Sequence, residues 1–465
     1  MVRSRSLVVS LLFSLGGLTV LCMVALASLT SANPNGSSIG IGMRFFISVV
    51  SILGFITVIV IPFSVMIRMT QEREFGRDDL QYATPLRPRA FVDGKALCSA
   101  VLGAFSVFAA LPFLLAAYLM RGVGLEWVGA VALFAVVAPA IISYVAILIG
   151  ATRWTPAMKR AAFILLFYII GSIFAVSSLG EALASANSQL LVPFFCILTF
   201  ATTWYVRASA IRLLTPVNFN RDRPVRLSEA AIWFASLLFA GFMAFRPDGD
   251  ELILFWVGFW VFFFGVRFLM SISMPSGYSR RVRSEITGTA PRRALQYLVF
   301  NGGENGVVFH LLMGLATLAA AVALSAFAGF VTAASMTTLL AGQTGKILGV
   351  VAVFWFYLVF FALVCRALWS RFLVGRIRPM WIGLTAFFLF TLANAIPAIL
   401  SAATSIKGTF GFFGNAVGAA YRLSKNNPQA VWRHLLFSLI AFAVALVLWF
   451  PALLRSLRDF KPRNP

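Results

Sequence analysis

The sequence of 465 residues is poor in charge, and acidic residues are scarcer than basic ones. Only 11% of the residues are charged and only 15 are Asp or Glu, whereas 60% are apolar. Soluble globular domains carry roughly 25% charged residues, so this composition excludes that class and indicates a membrane protein.

Cysteine and histidine are too few, and too scattered, for the sites they usually build. The four cysteines occur singly and form no CxxC pair, so we expect packing residues and neither a disulfide framework nor a thiolate metal site: Cys22, Cys98, Cys196 and Cys365. The two histidines, His310 and His434, belong to no HExxH motif. We therefore predict no metal site.

Uncharged apolar runs are abundant instead. A helix of about 20 residues crosses the hydrocarbon core of a bilayer, which is about 30 Å thick. We predict an all-α polytopic integral membrane protein with about twelve transmembrane helices, near residues 7–29, 45–66, 96–120, 127–150, 161–180, 190–206, 230–245, 252–274, 306–328, 347–365, 380–402 and 435–454.

Basic residues lie mainly on one side of this predicted topology. With the N-terminus inside, 30 of the 38 Lys and Arg residues fall in cytoplasmic segments. This distribution predicts a multi-pass protein of the cytoplasmic (inner) membrane with both termini in the cytoplasm. It also accounts for the net charge of +23 through topology and lipid-headgroup contacts, so no nucleic-acid partner is expected.

The first apolar run has some features of a secretory signal peptide. Arg3 and Arg5 precede it, and small residues occur at Ala25 and Ala27. Since the run is 23 residues long, it can span a bilayer, and we expect it to be retained. Cleavage of residues 1–27 stays an open alternative.

The order of spans and loops predicts a six-plus-six arrangement. In each half, two spans, a long cytoplasmic segment and four further spans follow one another. We predict a first six-helix bundle over 1–213 with a cytoplasmic helix at 69–86, a linker at 214–228, and a second bundle over 229–465 with a cytoplasmic loop at 275–304. Two unrelated bundles or one irregular bundle remain alternatives.

The cytoplasmic segment after the second span is predicted to contain a helix. Thr70 is placed as its N-cap, and Thr84-Pro85 ends it, because proline lacks the N–H and disfavours helix at the preceding residue. Charges of mixed sign favour a protein partner over anionic lipid. The apolar anchors for such a partner would be Met69, Phe75, Leu80 and Tyr82. A solvated connecting helix without a partner is the alternative.

This stretch, "QEREFGRDDLQYATPLRPRAFVDGKAL", resembles the signature of the type-2 ATP-binding-cassette (ABC) exporter permeases. The matching positions are Glu72, Arg73, Glu74, Gly76, Leu80, Thr84, Pro85, Leu86, Gly94 and Lys95. The match covers about 27 residues. Arg77 and Asp78 depart from the usual family residues, and only six residues precede the first predicted span, too few for the family's amphipathic N-terminal helix.

The resemblance implies that helix 69–86 is a coupling helix, which docks on a separate nucleotide-binding subunit. It implies a transport subunit that is not itself an enzyme and has no cofactor of its own, since ATP is bound by the partner. Neither Gly94-Lys95 nor Gly345-Lys346 belongs to a GxxxxGK[ST] loop, which agrees with this expectation. The other expected partner is the lipid bilayer, and a homodimer or a heteromeric permease is compatible. Whether loop 275–304 is a second coupling element or a structural connector stays open.

Two polar residues near the ninth span suggest a second kind of site. Glu304 and His310 could form an intramembrane pair that relays protons or binds a cation, although Glu304 is expected at a water-accessible mouth. Arg267 is expected to snorkel from its span to the interface, and Trp449 to anchor an aromatic belt. An ion-coupled secondary transporter and a non-transporting membrane scaffold or assembly protein are therefore the alternative functions.

Overall fold

The computed structural model describes residues 16–17, 20, 38–74, 87–120, 123–152, 154–164, 188–216, 218–243, 249–274, 277–286, 289–331, 343–373, 380–403 and 428–460. Every regular element in these ranges is a helix. The chain divides into unit 1, Met1–Pro216, and unit 2, Val217–Pro465.

Unit 1 is built on helices that follow the predicted apolar runs. They are α1 (Ser38–Gly54), a π-helical turn (Phe55–Val60), α2 (Ile61–Glu74), α3 (Pro88–Leu119), α4 (Leu125–Gly150) and α5 (Ser188–Leu214). Helix α4 packs against α2, α3 and α5. It therefore lies at the centre of the described part of this unit.

The π-helical turn has a local cause in Pro62. Proline has no N–H, and its ring would clash with the carbonyl four residues earlier, at Val58. The helix widens just before it, and the N–H of Ile61 bonds to the carbonyl of Ile56, five residues back. Thr57, which is buried in the turn, donates its hydroxyl to the carbonyl of Leu53 at 2.8 Å.

Small residues allow the helices of unit 1 to approach closely. A Cβ on Gly103 of α3 would overlap the backbone carbonyl of Ala135 on α4, and a Cβ on Gly150 would lie 2.8 Å from the Cβ of Met69. In lipid, apolar surface gains little by changing neighbours, so such close packing and polar contacts hold helices together. Ser143 of α4 adds one contact, donating to Ser99 of α3 at 2.7 Å.

Unit 2 contains long helices and two short ones between them. They are α6 (Arg223–Met243), α7 (Gly249–Ile272), α8 (Arg280–Ser284), α9 (Ala290–Val299), α10 (Gly303–Val331), α11 (Gln343–Leu368, extended by a π-helical turn at Trp369–Leu373), α12 (Met380–Ala403) and α13 (Pro428–Asp459). Helix α6 begins inside the stretch 214–228 that we predicted as a linker.

Helix α11 packs against α7, α10, α12 and α13 and is thus central among the described helices of unit 2. Its side chains Trp355, Tyr357 and Leu363 are fully buried in a large apolar core. Gly314 of α10 lies directly under the ring of Trp355, where any Cβ would overlap the indole. Helices α10 and α11 are therefore in direct contact at this position.

The predicted loop 275–304 is attached to the end of α13 by aromatic side chains. Phe460 packs edge-to-face against Tyr278, Tyr297 and Phe300, with ring centroids 5.2–5.7 Å apart. Ser456 lies within hydrogen-bond distance of both tyrosine hydroxyls, at 3.1 and 3.0 Å. Burial raises the pKa of both tyrosines, so they stay neutral hydrogen-bonding groups.

Eight helices in the described part of the chain are long and apolar enough to cross a membrane. This finding confirms the coarse prediction of an all-α, multi-pass membrane protein. The eight are Gly42–Arg73, Pro88–Leu119, Leu125–Gly150, Arg223–Phe242, Ile253–Ile272, Gly303–Phe327, Gly345–Phe372 and Trp432–Asp459.

The total of twelve spans stays a prediction. The predicted spans 7–29 and 161–180 lie mostly outside the described residues. Those at 190–206 and 380–402 coincide with α5 (Ser188–Leu214) and α12 (Met380–Ala403), which are not among the eight.

Replacing Gly314 by alanine is expected to destabilise the chain by about 1–3 kcal/mol, because the new methyl group must displace a fully buried indole. The free energy of unfolding in mild detergent, followed by circular dichroism, measures this loss. Gly258→Ala on α7 is the matched control, since no heavy atom lies within 4 Å of its added Cβ. Equal effects of the two substitutions would contradict the packing described for α10 and α11.

Candidate functional site

Residues 69–86, which resemble a coupling helix and are called the charged segment below, do not begin as a separate helix. Helix α2 runs from Ile61 through Thr70 to Glu74, and the Thr70 hydroxyl donates to the carbonyl of Met66 at 3.0 Å. The prediction of Thr70 as an N-cap was therefore wrong. The membrane helix preceding it already supplies acceptors for the backbone N–H groups, so no cap is needed.

Met69 is also placed differently from the prediction. Its side chain is fully buried in a cluster with Val65, Val92, Ile147 and Ile211. It packs within unit 1 and cannot serve as an exposed anchor for a partner. The prediction of Met69 as such an anchor was wrong, because the α2 face on which it lies is covered by α4.

The structure brings together the two ends of the predicted signature. Lys95 Nζ of α3 donates to Glu72 Oε2 of α2 at 2.6 Å. The Lys95 side chain is 8% exposed and that of Glu72 is 29% exposed, so the pair is partly shielded from water. Lys95 also lies over the ring of Phe91, 4.7 Å from its centroid. The ion pair joins α2 and α3 on either side of residues 75–86.

Helix α3 begins earlier than the sequence suggested. Pro88 is its first residue, a position that proline favours because its fixed φ suits a helix and no N–H is required there. Gly94, one of the signature positions, lies inside this helix; it is exposed, and no heavy atom lies within 4 Å of an added Cβ.

The other signature residues are only partly covered by the structure. Arg73 is half-buried near the end of α2, and Glu74 is the last residue of that helix. The remaining positions lie outside the described residues: Gly76, Leu80, Thr84, Pro85 and Leu86.

A second ion pair at this end of unit 1 was missed by sequence reasoning. Arg207 of α5 donates to both carboxylate oxygens of Asp93 on α3, from Nε at 2.6 Å and from Nη2 at 2.5 Å. The Tyr144 hydroxyl of α4 donates to the same carboxylate at 3.3 Å. The sequence offered only two indications of this pair. Asp93 lies next to Gly94-Lys95 of the signature, and Arg207 directly follows the predicted span 190–206.

Glu304 of unit 2 is buried rather than open to water. Arg366 of α11 donates to its Oε1 from Nη2 at 2.8 Å and from Nε at 3.0 Å. The indole N–H of Trp449 donates to its Oε2 at 2.7 Å. Trp449 is thus a core residue, and its predicted role as an aromatic-belt anchor was wrong.

His310 has a different partner from the predicted one. Its Nε2 lies 3.1 Å from Oε2 of Glu229 on α6, and Arg267 Nε of α7 donates to Oε1 of the same carboxylate at 2.5 Å. All three side chains are buried. Glu304 and His310 therefore belong to two separate networks, and Arg267 pairs inside the unit instead of snorkelling. Hydropathy identifies a polar residue in a span but carries no information on its neighbour.

The side chain of Arg226 binds the backbone of the predicted loop 275–304. Its guanidinium is buried and donates to the carbonyls of Leu298, Phe300 and Gly302 at 2.5–3.1 Å. Asp222 lies 3.6 Å from it. This arginine satisfies backbone acceptors in the last turn of α9 and in the turn between α9 and α10. The basic-residue count had attributed its charge to topology and lipid contacts.

Comparisons with families of known proteins, with curated proteins and with solved structures found no match.

Glu304→Gln is expected to lower the free energy of unfolding by about 3–5 kcal/mol, because the buried Arg366 guanidinium loses its counter-charge. Unfolding in mild detergent, followed by tryptophan fluorescence, measures the change. Glu285→Gln replaces an exposed acid of the same unit and should have little effect. A Glu304→Gln protein as stable as Glu285→Gln would show that the buried pair contributes nothing.

Proposed function

We propose that the chain is the membrane permease subunit of an ABC transporter of the exporter class. A separate ATPase subunit would dock on the charged segment and power transport, and this chain would bind neither ATP nor a metal. The observation that carries the proposal is the Glu72–Lys95 ion pair, because it joins two signature residues across the segment that resembles a coupling helix.

The ion pair supports a coupling role on mechanical grounds. A docking element can pass a displacement to the membrane helices only if its base is firmly held by them. Glu72 and Lys95 clamp α2 to α3, and the Asp93–Arg207 pair links α3 to α5. A displacement of residues 75–86 would therefore be transmitted to α2, α3 and α5 together.

The burial of Met69 narrows the surface that the ATPase would contact. That surface would begin after Met69, with Gln71 as the exposed residue on the last turns of α2. The apolar anchors would then be the remaining candidates, Phe75, Leu80 and Tyr82.

The proposed location is the cytoplasmic (inner) membrane, with both termini in the cytoplasm. The uneven distribution of Lys and Arg supports this orientation. It puts the charged segment on the side where ATP is available.

An ion-coupled secondary transporter is the second candidate. The observation favouring it is the set of buried ionisable side chains within the spans of unit 2, with Glu229, His310 and Glu304 as the carriers of charge. Ionisable groups inside a membrane domain commonly mark ion or proton pathways.

Purification of the tagged full chain from its native membranes in mild detergent tests the leading proposal. We expect a copurifying subunit with a Walker A loop, and ATP hydrolysis by the complex. In the reconstituted complex, Glu72→Gln and Lys95→Met should each reduce ATP-driven transport by about two- to thirtyfold, equivalent to about 0.5–2 kcal/mol of coupling.

The charge-exchanged double variant, Glu72→Lys with Lys95→Glu, should recover part of that loss, since the ion pair can re-form. Glu126→Gln, an exposed acid on α4, is the matched control and should transport normally. A complex without an ATPase, or single variants with unchanged ATP-driven transport, would refute the proposal. Transport driven by a proton gradient without ATP would favour the second candidate.

A further inference from the structure

The contacts of the His310 ring determine where its hydrogens lie. Nδ1 is 2.7 Å from the carbonyl oxygen of Gly306 and 2.9 Å from the hydroxyl of Ser271. A carbonyl oxygen can only accept a hydrogen bond. The Ser271 hydroxyl already donates its single hydrogen to the carbonyl of Arg267, at 3.0 Å. A hydrogen on Nδ1 satisfies both contacts, because the Gly306 carbonyl cannot donate and the Ser271 hydroxyl has an acceptor of its own in the Arg267 carbonyl.

The opposite side of the ring then presents a conflict. In a neutral imidazole with its hydrogen on Nδ1, Nε2 has only a lone pair. The atom facing Nε2 at 3.1 Å is Oε2 of Glu229, which is also an acceptor when the carboxylate is ionised. Two lone pairs at this distance repel each other, and the low dielectric of the buried site strengthens the repulsion. A hydrogen between the two atoms removes the conflict.

We infer that Glu229 and His310 bind one proton between them, which makes this cluster in unit 2 a proton-binding site. The proton lies on the line from Nε2 to Oε2, either as imidazolium with carboxylate or as neutral imidazole with carboxylic acid. Arg267 holds the other carboxylate oxygen at 2.5 Å and fixes the direction of the carboxyl group. The inference does not depend on the proposed function, since it concerns a different unit of the chain.

The surrounding charges make the proton exchangeable rather than permanent. The proton raises the formal charge of the Glu229–Arg267–His310 trio from zero to +1, and burial disfavours a net charge. The positive groups acting on the ring are Arg267 from α7 and Arg226 from α6, while Glu229 attracts the proton. On the other packed elements, Glu304 of α10 is engaged by Arg366 of α11.

Release of the proton has a structural consequence. Repulsion between Nε2 and Oε2 would separate α6 from α10 at this point. Helix α6 also carries Arg226, which holds the carbonyls of Leu298, Phe300 and Gly302 immediately before α10. Protonation of the pair is thus linked to the attachment of the loop 275–304.

Nitrogen-15 NMR of the full chain in lipid vesicles, with labelled histidine, tests the inference. The chain has only two histidines, so His434→Gln leaves the His310 signals alone, and comparison with the unsubstituted chain assigns them. We expect Nδ1 to be protonated throughout the pH range. Near neutral pH we expect either a protonated Nε2 or, in the infrared spectrum, a carboxylic-acid band that Glu229→Gln removes.

Raising the pH should move the Nε2 signal, or abolish the carboxylic-acid band, while Nδ1 is unchanged. In Glu229→Gln the amide can donate to Nε2, so the Nε2 signal should be that of an unprotonated nitrogen at every pH. A neutral ring together with an ionised Glu229 at all pH values overturns the inference, whichever ring nitrogen carries the hydrogen. The nitrogen signals of the His434→Gln chain alone give the protonation state of the ring, even if Glu229→Gln fails to fold.

Discussion

The constraint on which the described structure depends is that a buried cation needs an anion or a carbonyl oxygen beside it. Removing a guanidinium or ammonium group from water costs several kcal/mol unless its donors are engaged. Lys95, Arg226, Arg267 and Arg366 are all buried, and each meets this requirement with a carboxylate or with backbone carbonyls. Since the sequence contains few acids, the ion pairs of Lys95, Arg267 and Arg366 each join a particular pair of helices.

The two units use this constraint differently. In unit 1 the ion pairs are partly exposed and lie beside the charged segment, where Glu72 and Asp93 still reach water. In unit 2 the carboxylates of Glu229 and Glu304 lie inside the apolar core. Partly exposed pairs tolerate movement better than buried ones, because water can replace a lost partner. The helices of unit 1 can thus shift at their ion pairs at a lower energetic cost than the helices of unit 2.

Much of the fold was accessible from the sequence, because the length of an apolar run depends on bilayer thickness and not on the neighbouring helices. The eight membrane-length helices of the described part all coincide with predicted runs. Helix ends were less accessible. Pro88 starts α3 before the apolar run, and α2 continues through Thr70 into the charged segment. In both places the helix continues past the end of the apolar run, so the length of the run does not mark the end of the helix.

The candidate sites were only partly accessible, for a different physical reason. Glu72 and Lys95 were singled out by their place in a signature, and they pair. Glu304 and His310 were singled out as polar residues in a span, but their partners, Arg366 and Glu229, lie on helices far away in the sequence. Which helices become neighbours depends on packing, as where Gly314 meets Trp355, and no local pattern records it. The same holds for Asp93 and Arg207.

The aromatic contact of Phe460 bears on the order in which unit 2 can be assembled. The pocket that receives this ring is formed by Tyr278, Tyr297 and Phe300, and Ser456 bonds to Tyr297 across 159 positions of sequence. During synthesis, the pocket is made long before the ring that fills it. The stretch between α7 and α10 must therefore wait, incompletely packed, while the later helices are inserted into the membrane. It can close only once α13, which carries Ser456 and is followed directly by Phe460, is in place.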